Sequence, residues 1–292
     1  IIFIALFSLL LCDLDLKYHQ KIVDKVNRLK TTWTAEVPKR DYTPYLGAIL
    51  DHDEKHPRRK LTPRNDLPKE YDVRKQWGEK CPSTTYVMDQ ANCGSCWAFG
   101  AAESMSDMIC IQSQGKYKPI ISPQDLTECC STCGFGCNGG NPFLAYMWFM
   151  TEGVVTGGKY QDKTYCKPYF LPPCAHHGAN STYPPCPDMA DTPDCVEKCQ
   201  DGYSKSYADD KWYGIDAYQI FYDEEQIMTE IYERGSVPAG FFVYDDFLDY
   251  KSGIYQYVTG MFRGGHAIKI VGWGEENGTK YWICQNSWNE EW

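Results

Sequence analysis

Two cysteines, Cys93 and Cys96, stand three residues apart in the stretch Gln-Ala-Asn-Cys-Gly-Ser-Cys-Trp-Ala-Phe-Gly at residues 90–100. Apolar side chains recur at helical spacing from Ala98 to Ile109, which predicts that Cys96 lies in the first turn of a buried helix. Unpaired N–H groups and the helix dipole favour negative charge there, so the thiol should ionise easily. We therefore predict that Cys96 is a thiolate nucleophile. A Cys-x-x-Cys disulfide or half of a zinc site is the alternative.

A histidine and an asparagine are predicted to meet across a hairpin in the last third of the chain. Two strand-like runs, residues 265–271 and 280–286, flank an Asn-Gly pair that favours a tight turn. Reflecting one run onto the other about position 276 places His266 opposite Asn286 on the same face. An asparagine so placed can hold the orientation and tautomer of an imidazole ring.

These residues supply the groups that acyl transfer needs. Cys96 would attack a carbonyl carbon as a thiolate paired with the His266 imidazolium, and Asn286 would orient the imidazole. The tetrahedral oxyanion that forms then needs hydrogen-bond donors. We predict the backbone N–H of Cys96 and the side-chain amide of Gln90 as those donors.

Length and charge limit the classes of protein to consider. At 292 residues and 43% hydrophobic composition, the chain can bury a large core in one or two domains. Its formal net charge of −10 argues against a nucleic-acid binder, which carries a basic face. Residues 1–66 contain 12 Lys and Arg against 9 Asp and Glu, a net of +3, and the remainder carries −13. A basic leading segment therefore precedes an acidic body.

The cysteine content and the start of the chain indicate a secreted or lysosomal protein. Fifteen cysteines are far more than a reduced cytosolic enzyme needs. Residues 1–12 form an uncharged apolar run, which we interpret as a partial signal peptide, and no later stretch is long enough to span a membrane. The triplets that begin at Asn180 and Asn277 are predicted glycosylation sites.

Residues 13–66 are predicted to be a removable propeptide. One face of a predicted helix over residues 20–30 carries Ile22, Val23, Val26 and Leu29. The polar stretch that follows has no cysteine and few apolar residues, so it resembles an appendage to the core, and a short N-terminal subdomain is the alternative. The charge difference suggests electrostatic attraction to the body, which protonation of carboxylates at acid pH would weaken.

The body contains helices and one long irregular segment. Helices are predicted to begin at Ser122, Asn141 and Asp223. Residues 157–203 contain five cysteines, seven prolines and the pair His176-His177, which predicts a long functional loop without regular structure. For the histidine pair, a metal site is the alternative to solvated side chains.

Several short motifs resemble those of the papain family of cysteine proteases. Three of them are residues 93–97, residues 137–140 and the Asn-Ser-Trp triplet at 286–288. The block Pro-Pro-Cys-Ala-His-His at 172–177, with a second Pro-Pro-Cys at 184–186, resembles the occluding loop of the cathepsin B branch. The resemblance implies an α+β, papain-like fold with a helical left domain, a β-barrel-like right domain and an active-site cleft between them.

The resemblance also implies the extent and the activity of the protease domain. The domain would span residues 67–292, with its C-terminal part missing. In the family, two loop histidines receive a substrate's C-terminal carboxylate, which implies a dipeptidyl carboxypeptidase capacity beside endopeptidase activity. Residues 281–288 are similar to the end motif of gut enzymes from parasitic worms.

Individual roles follow from the same resemblance. Catalysis is assigned to Cys96, His266, Asn286 and Gln90. Substrate contacts are assigned to Gly139, Gly140, Pro142, Ala267, Val243, Leu248, Trp288, His176 and His177. Asp89 matches the acidic residue that anchors the first loop histidine, His176.

Six disulfides are implied by the resemblance as well. They are Cys81–Cys110, Cys93–Cys137, Cys129–Cys195, Cys130–Cys133, Cys166–Cys199 and Cys174–Cys186. Of the three remaining cysteines, Cys12 lies in the signal segment, Cys96 is the nucleophile, and Cys284 is left as a buried free thiol.

Two departures from the family pattern lead to further expectations. Tyr183 and Glu291 occupy the places of an Arg–Asp ion pair that anchors the occluding loop, so we expect a looser loop and relatively more endopeptidase activity. Ala91 replaces the glycine that usually follows the oxyanion glutamine, which would shift that turn.

The leading interpretation is a monomeric cysteine-type peptidase without cofactor or metal. Its expected partners are peptide and protein substrates, its own propeptide and cystatin-like inhibitors. Neither nucleic acid nor a membrane is expected as a partner. The alternative from another class is a catalytically inactive, disulfide-rich binding protein, although such homologues usually lose the nucleophile. A third interpretation, a zinc-binding module, requires unpaired ligand cysteines.

Overall fold

The computed structural model describes residues 2–38, 41–50, 56–176 and 181–292. Its helices are α1 (Ile2–Leu29), α2 (Val73–Trp77), α3 (Cys96–Gln112), α4 (Pro123–Cys129), α5 (Pro142–Thr151), α6 (Tyr207–Asp210), α7 (Glu224–Arg234) and α8 (Asp245–Leu248). Its strands are β1 (Trp33–Ala35), β2 (Arg58–Arg59), β3 (Tyr71–Asp72), β4 (Gln219–Ile220), β5 (Val237–Tyr244), β6 (Tyr250–Gly253), β7 (Phe262–Glu276) and β8 (Thr279–Gln285). None of the helices within these ranges combines the length and the apolar character that a membrane span needs.

Helix α3 is the centre of the helical half of the molecule. Every residue from Cys96 to Asp107 is buried, because α4, α5 and β7 all pack on this helix. The neighbouring helices begin where the sequence predicts. The Ser122 hydroxyl accepts a hydrogen bond from the Asp125 N–H at the start of α4, and the Asn141 side chain caps α5 in the same way.

Strand β7 is the centre of the sheet in the other half. Strand β8 pairs with one edge of it, and β5 and β3 pair with the other, all antiparallel. The α+β class is therefore confirmed. The expected β-barrel-like domain is, in the described part of the chain, an open four-stranded sheet, because its outermost strands β5 and β8 are not hydrogen-bonded to each other.

The hairpin of β7 and β8 forms as predicted, but its register is different. The turn is the Asn-Gly pair itself, both residues having positive φ, so Glu276 pairs with Thr279. The register shifts back by one residue at Val271, where the strand pairing is irregular. His266 and Asn286 are therefore not directly opposite each other, and the reflection about position 276 was wrong by about two residues.

Residues 13–66 are called the leading segment here, and the part of it that the structure describes lies against the rest of the chain. Ile22, Val23 and Val26 are buried in one cluster with Trp33. Leu29, predicted on the same face, is 52% exposed because α1 ends at this residue and the chain turns away from the cluster. Strand β1 pairs with β6, and β2 pairs with β4, so two strands of the leading segment are hydrogen-bonded to strands of the body.

Six disulfides hold the body together. They join Cys81–Cys110, Cys93–Cys137, Cys129–Cys195, Cys130–Cys133, Cys166–Cys199 and Cys174–Cys186, the six pairs that the resemblance implied. Three of these bonds lie at least partly in residues 157–203, whose described part contains neither helix nor strand, as predicted. Cys96 and Cys284 are free, but Cys284 is exposed rather than buried, because it lies on β8 at the edge of the sheet.

Candidate active site

Cys96, the predicted nucleophile, is the first residue of α3 and is fully buried. The preceding residue, Ser95, occupies the N-cap position, yet its side chain makes no capping hydrogen bond to the helix. The first N–H groups of α3 therefore remain directed at the space around the Cys96 sulfur. Backbone groups of Trp97 and Ala267 also lie close to this sulfur.

His266 and Asn286 meet despite the altered register. The His266 Nε2 lies 2.8 Å from the Asn286 Oδ1, which also accepts a hydrogen bond from the Ser287 N–H at 2.8 Å. Because an amide oxygen only accepts, Nε2 carries the proton and Nδ1 of the neutral ring is the basic nitrogen. That Nδ1 is buried and has no hydrogen-bond partner within the described ranges. The ring lies against Trp288, with centroids 4.7 Å apart.

Gln90 is fully buried and hydrogen-bonded through both its backbone and its side chain. Its backbone N–H donates to the Ser287 carbonyl at 2.9 Å, and its Oε1 accepts from the Ser287 hydroxyl at 2.8 Å. The Nε2 group donates to the Cys93 carbonyl at 2.8 Å and to the Tyr45 carbonyl at 2.9 Å. The second acceptor is notable because Tyr45 belongs to the leading segment, so a peptide carbonyl already lies on the predicted oxyanion donor.

The leading segment crosses the cleft as an extended peptide. The Ala48 N–H donates to the Gly265 carbonyl at 3.0 Å, and Gly140 exchanges two hydrogen bonds of 2.8 Å with the segment, accepting from the Ile49 N–H and donating to the Gly47 carbonyl. Gly47 has no room for a side chain, since a Cβ built on it would lie 1.7 Å from the Gly94 carbonyl oxygen. The chain backbone therefore lies directly on the floor of the cleft.

Burial sets the ionisation of the candidate pair. Desolvation raises the pKa of the Cys96 thiol to about 11, although nearby backbone groups of Ala267 and Gly47 act in the opposite direction. Desolvation also lowers the pKa of His266 to about 4, against the effect of its hydrogen bond to Asn286. The prediction that Cys96 ionises easily is thus wrong for the covered chain, in which the thiol and the imidazole are both neutral near pH 7.

His176 lies at the far end of the cleft, where the sequence predicts a loop histidine. Its Nε2 is 2.6 Å from the Asp89 Oδ1, the anchor that the resemblance implied. The ring stacks on Trp288, with centroids 5.9 Å apart, and contacts Tyr42 and Tyr45 of the leading segment. His177 and the glycosylation candidate Asn180 lie outside the described residues.

The occluding-loop candidate is hydrogen-bonded to Glu291, one of the two residues that replace the Arg–Asp ion pair of the family. The Glu291 carboxylate accepts hydrogen bonds from the Ser181 and Thr182 hydroxyls, and from the Thr182 N–H at 3.0 Å. These bonds hold the pKa of Glu291 below its usual range. Tyr183 makes no ion pair with Glu291, as expected, but the loop has another tether to the same carboxylate.

Asp89 and Ala91 form a tight turn beside Gln90. Ala91 adopts a left-handed conformation with φ of +51°, which explains why a glycine would fit this position. The Asp89 Oδ1 accepts a hydrogen bond from the Ala91 N–H at 2.7 Å and stabilises this conformation. The same carboxylate also accepts from the Cys174 N–H at 3.1 Å, so one side chain joins the turn to the loop.

The remaining predicted substrate contacts surround the crossing peptide. Ala267 is buried in a cluster with Cys96 and Ala48. Val243, Leu248 and Trp288 are buried in a second cluster that includes tyrosines of the leading segment. Pro142 lines a large groove beside Ile49 and Leu50. Gly139 has a φ of +108°, and a Cβ built on it would lie 3.0 Å from the Gly47 carbonyl oxygen. The predicted glycosylation site Asn277 is exposed at the tip of the hairpin.

Sequence reasoning assigned no role to three residues that the structure places around the cleft. Gly265 accepts a hydrogen bond from the crossing peptide, and two consecutive glycines before His266 could have signalled a close backbone approach. Ser287 and Tyr169 contact Gln90 from positions 197 and 79 residues away. No local pattern could reveal those two contacts.

One cluster of sulfur and nitrogen atoms has metal-like spacing. The ligand atoms of Cys174, His176 and Cys186 all lie within 4.8 Å of one another. The two sulfurs are bonded to each other, however, so they cannot act as thiolate ligands. This arrangement therefore gives no support to a zinc site.

The fold and the arrangement of the cleft residues are of the papain type. The sequence model of the papain family cysteine proteases matches residues 67–292, and the chain belongs to this family. The relationship to cathepsin B-like members is also direct. The chain is 46% identical over 229 residues to Cathepsin B-like cysteine proteinase 6 of Caenorhabditis elegans and 49% identical over 228 residues to Cathepsin B-like cysteine proteinase 1 of Ostertagia ostertagi.

These alignments cover 78% of the chain but only 60% and 66% of the two relatives' own lengths, less than two thirds in each case. Among solved structures, proCathepsin B S9 from Trypanosoma congolense is 32% identical, with a TM-score of 0.77 over 93% of this chain and 88% of that one. Procathepsin L2 from Tenebrio molitor larval midgut, at 22% identity and a TM-score of 0.66 over 96% and 82% of the two chains, shares the fold. The resemblance to the cathepsin B-like branch is thereby confirmed.

Proposed function

We propose that this protein is a peptidase that cleaves peptide bonds with Cys96 as nucleophile and His266 as base and acid. One observation carries the proposal. A backbone carbonyl, that of Tyr45, accepts a hydrogen bond from the Gln90 side chain, while the peptide around Gly47 lies on the Cys96 sulfur. The cleft therefore already holds a peptide in the place where a substrate would react.

The proposed reaction begins with proton transfer from the Cys96 thiol to the His266 Nδ1. The thiolate attacks the carbonyl carbon, and the oxyanion accepts hydrogen bonds from the Cys96 N–H and the Gln90 Nε2. His266 donates its proton to the amine, which leaves as the carbon–nitrogen bond breaks. Water then attacks the thioester with His266 as base, the carboxylic acid is released, and the thiol is restored.

We propose that the loop around His176 adds a dipeptidyl carboxypeptidase capacity. The His176 Nδ1 is buried without a hydrogen-bond partner in the described part of the chain, and Asp89 fixes the ring through the opposite nitrogen. A protonated imidazole ring in this orientation can donate a hydrogen bond from Nδ1 to a substrate's C-terminal carboxylate. His177 is proposed as its neighbour in this role.

The leading segment is proposed to be a propeptide that inhibits the enzyme until it is removed. Its backbone is hydrogen-bonded to Gly140, Gly265 and Gln90, and a substrate would need the same hydrogen-bonding groups. The disulfides suit an oxidising compartment, so we propose a secreted or lysosomal protein, with peptide substrates and cystatin-like inhibitors as partners.

The proposal is tested with the full chain, processed and assayed between pH 4 and 8. One substrate is cleaved internally, and the other releases a C-terminal dipeptide. Cys96→Ala is expected to abolish both activities, whereas Cys284→Ser, which alters the other free thiol, should leave them unchanged. Hydrolysis that survives in Cys96→Ala would overturn the mechanism. A wild-type chain that binds peptides without cleaving them would instead support an inactive binding protein.

A further inference from the structure

The hydroxyl of Tyr169 lies at the centre of a buried link behind the catalytic residues. It donates a hydrogen bond to the Gln90 carbonyl at 2.8 Å and lies 2.9 Å from the Ser95 Oγ. The tyrosine is only 2% exposed, and Ser95 and Gln90 are fully buried. Because a tyrosine has a single O–H, which goes to the carbonyl, Ser95 must be the donor in the second contact.

This use of Ser95 is unusual for its position. A serine at the N-cap normally accepts a hydrogen bond from the N–H two or three residues later and so closes the helix end. Here the hydroxyl points to Tyr169 instead, and α3 has no side-chain cap. The first N–H groups of the helix are consequently left for the nucleophile and for an oxyanion.

Tyr169 itself is rigidly placed. Its ring meets Phe99 of α3 edge-to-face at 4.7 Å and Phe170 at 5.3 Å, and its backbone N–H donates to the Gly158 carbonyl at 3.0 Å. Burial holds the pKa of Tyr169 well above its usual range, so the hydroxyl stays a donor at any working pH. The two donors of the proposed oxyanion hole, from Gln90 and Cys96, thus share one fixed point of attachment.

We propose that Tyr169 is a positioning residue that sets the distance between the Gln90 side chain and the N-terminus of α3, and so shapes the oxyanion hole. It does not touch the substrate. It acts on the Gln90 backbone directly and on Cys96 through the adjacent Ser95. The inference rests on the proposed function, since it concerns the same reaction.

The test uses Tyr169→Phe, which keeps the aromatic packing and removes only the hydroxyl. Activity is measured on the processed full chain, with active enzyme counted by stoichiometric alkylation of Cys96. We expect kcat to fall about 5- to 10-fold, the equivalent of one well-placed hydrogen bond, while KM changes less than twofold. The matched control is Tyr203→Phe. The Tyr203 hydroxyl donates a 2.8 Å hydrogen bond to the buried Asp210, outside the cleft, so this variant should keep its kcat.

A double-variant cycle separates positioning from general stability. In a Gln90→Ala background, the oxyanion donor is already absent, so Tyr169→Phe should cause little further loss of kcat. Affinity for a peptide aldehyde, which forms a tetrahedral adduct with Cys96, should fall in parallel with kcat. Should Tyr169→Phe not fold, Ser95→Ala removes the same link from its other end and should give the same pattern.

Three results would overturn this inference alone: an unchanged kcat in Tyr169→Phe with an active wild type, an equal loss in both Gln90 backgrounds, or a loss confined to KM. A wild-type chain that hydrolyses no peptide would overturn the proposed function, and the inference with it. The two failures are therefore distinguishable.

Discussion

At the scale of single residues, the histidine of the cleft has one nitrogen committed and one free. Asn286 accepts from the His266 Nε2 at 2.8 Å, and this contact alone selects the tautomer whose Nδ1 can take a proton. Trp288 covers the same side of the ring and keeps water from competing for the hydrogen bond. The orientation of the base thus depends on a residue that never meets the substrate.

We expect Asn286→Ala to lower kcat/KM by on the order of 10- to 100-fold, because the imidazole keeps its basic nitrogen but loses its orientation. The pH profile should also shift, since the hydrogen bond to Asn286 raises the pKa of His266 and its loss lowers it. Steady-state kinetics between pH 4 and 8 measure both effects. An unchanged rate and profile would show that packing against Trp288 is sufficient.

At the scale of elements, the leading segment depends on a glycine at its closest approach. A side chain at Gly47 would collide with the Gly94 backbone, which cannot move because Gly94 N–H donates to the Cys137 carbonyl at 2.9 Å beside a disulfide. The close contact of the leading segment with Gly94 therefore depends on the absence of a Cβ.

Gly47→Ala is expected to lift the segment and expose Cys96 in the unprocessed chain. Alkylation of Cys96 should accelerate at least severalfold relative to the exposed thiol of Cys284, which serves as an internal reference. Mass spectrometry of the two peptides measures the ratio. Lys60→Ala, an exposed change in the same segment, is the control, and equal ratios in both variants would contradict the steric argument.

The loop after His176 depends on the Glu291 carboxylate. We expect Glu291→Ala to lower the ratio of dipeptide release to internal cleavage about two- to fivefold, because hydrogen bonds to an exposed carboxylate stabilise a loop only modestly. The matched control is Glu290→Ala, which removes an exposed ion pair with Lys159 next to the tether. An identical ratio in the two variants would mean that the tether does not govern the loop.

At the scale of the whole molecule, docking of the leading segment changes the pKa of two groups, and the resulting effects of acid on docking are opposite. His266 is held neutral with a pKa of about 4, so between its ordinary value near 6.5 and pH 4 only the uncovered state binds the proton, and acid favours uncovering. Asp249 binds His19 of the leading segment at 2.8 Å, and burial raises its pKa to about 6. Between pH 6 and about 3.8 the docked state binds that proton, so acid favours docking there. The charge difference between residues 1–66 and the remainder predicted that protonation of carboxylates weakens docking. At Asp249, protonation instead favours docking.

Asp249→Asn should make acid-driven uncovering steeper, because it removes an opposing contribution of about 3 kcal/mol. Hydrogen exchange of the Ala48 and Ile49 amides reports the covered state, measured from pH 7 to 4 in full-length Cys96→Ala so that no cleavage occurs. Protection should fall more sharply with acid in the double variant than in Cys96→Ala alone. A shallower fall would assign the pH response to other groups.

The sequence by itself determined the family and most of the local structure around the candidate site. Cys96 at a helix start, the capped helices at Ser122 and Asn141, and the Asn-Gly hairpin are local patterns, because each depends on residues within one or two turns of chain. The motif resemblance added the fold and the six disulfide pairs. The contact between His266 and Asn286 was also anticipated, although the register that led to it was wrong at the turn and at the irregular pairing.

Only the tertiary structure decided the state of the site. The neutral thiol and imidazole follow from desolvation, to which a segment about 50 residues upstream contributes at Cys96, and burial is a property of the assembled chain. The same holds for the Glu291 tether, the exposure of Cys284 and the link through Tyr169. The tether and the link join residues far apart in sequence, and the exposure of Cys284 depends on which strands lie beside it, so three-dimensional packing alone decides all three.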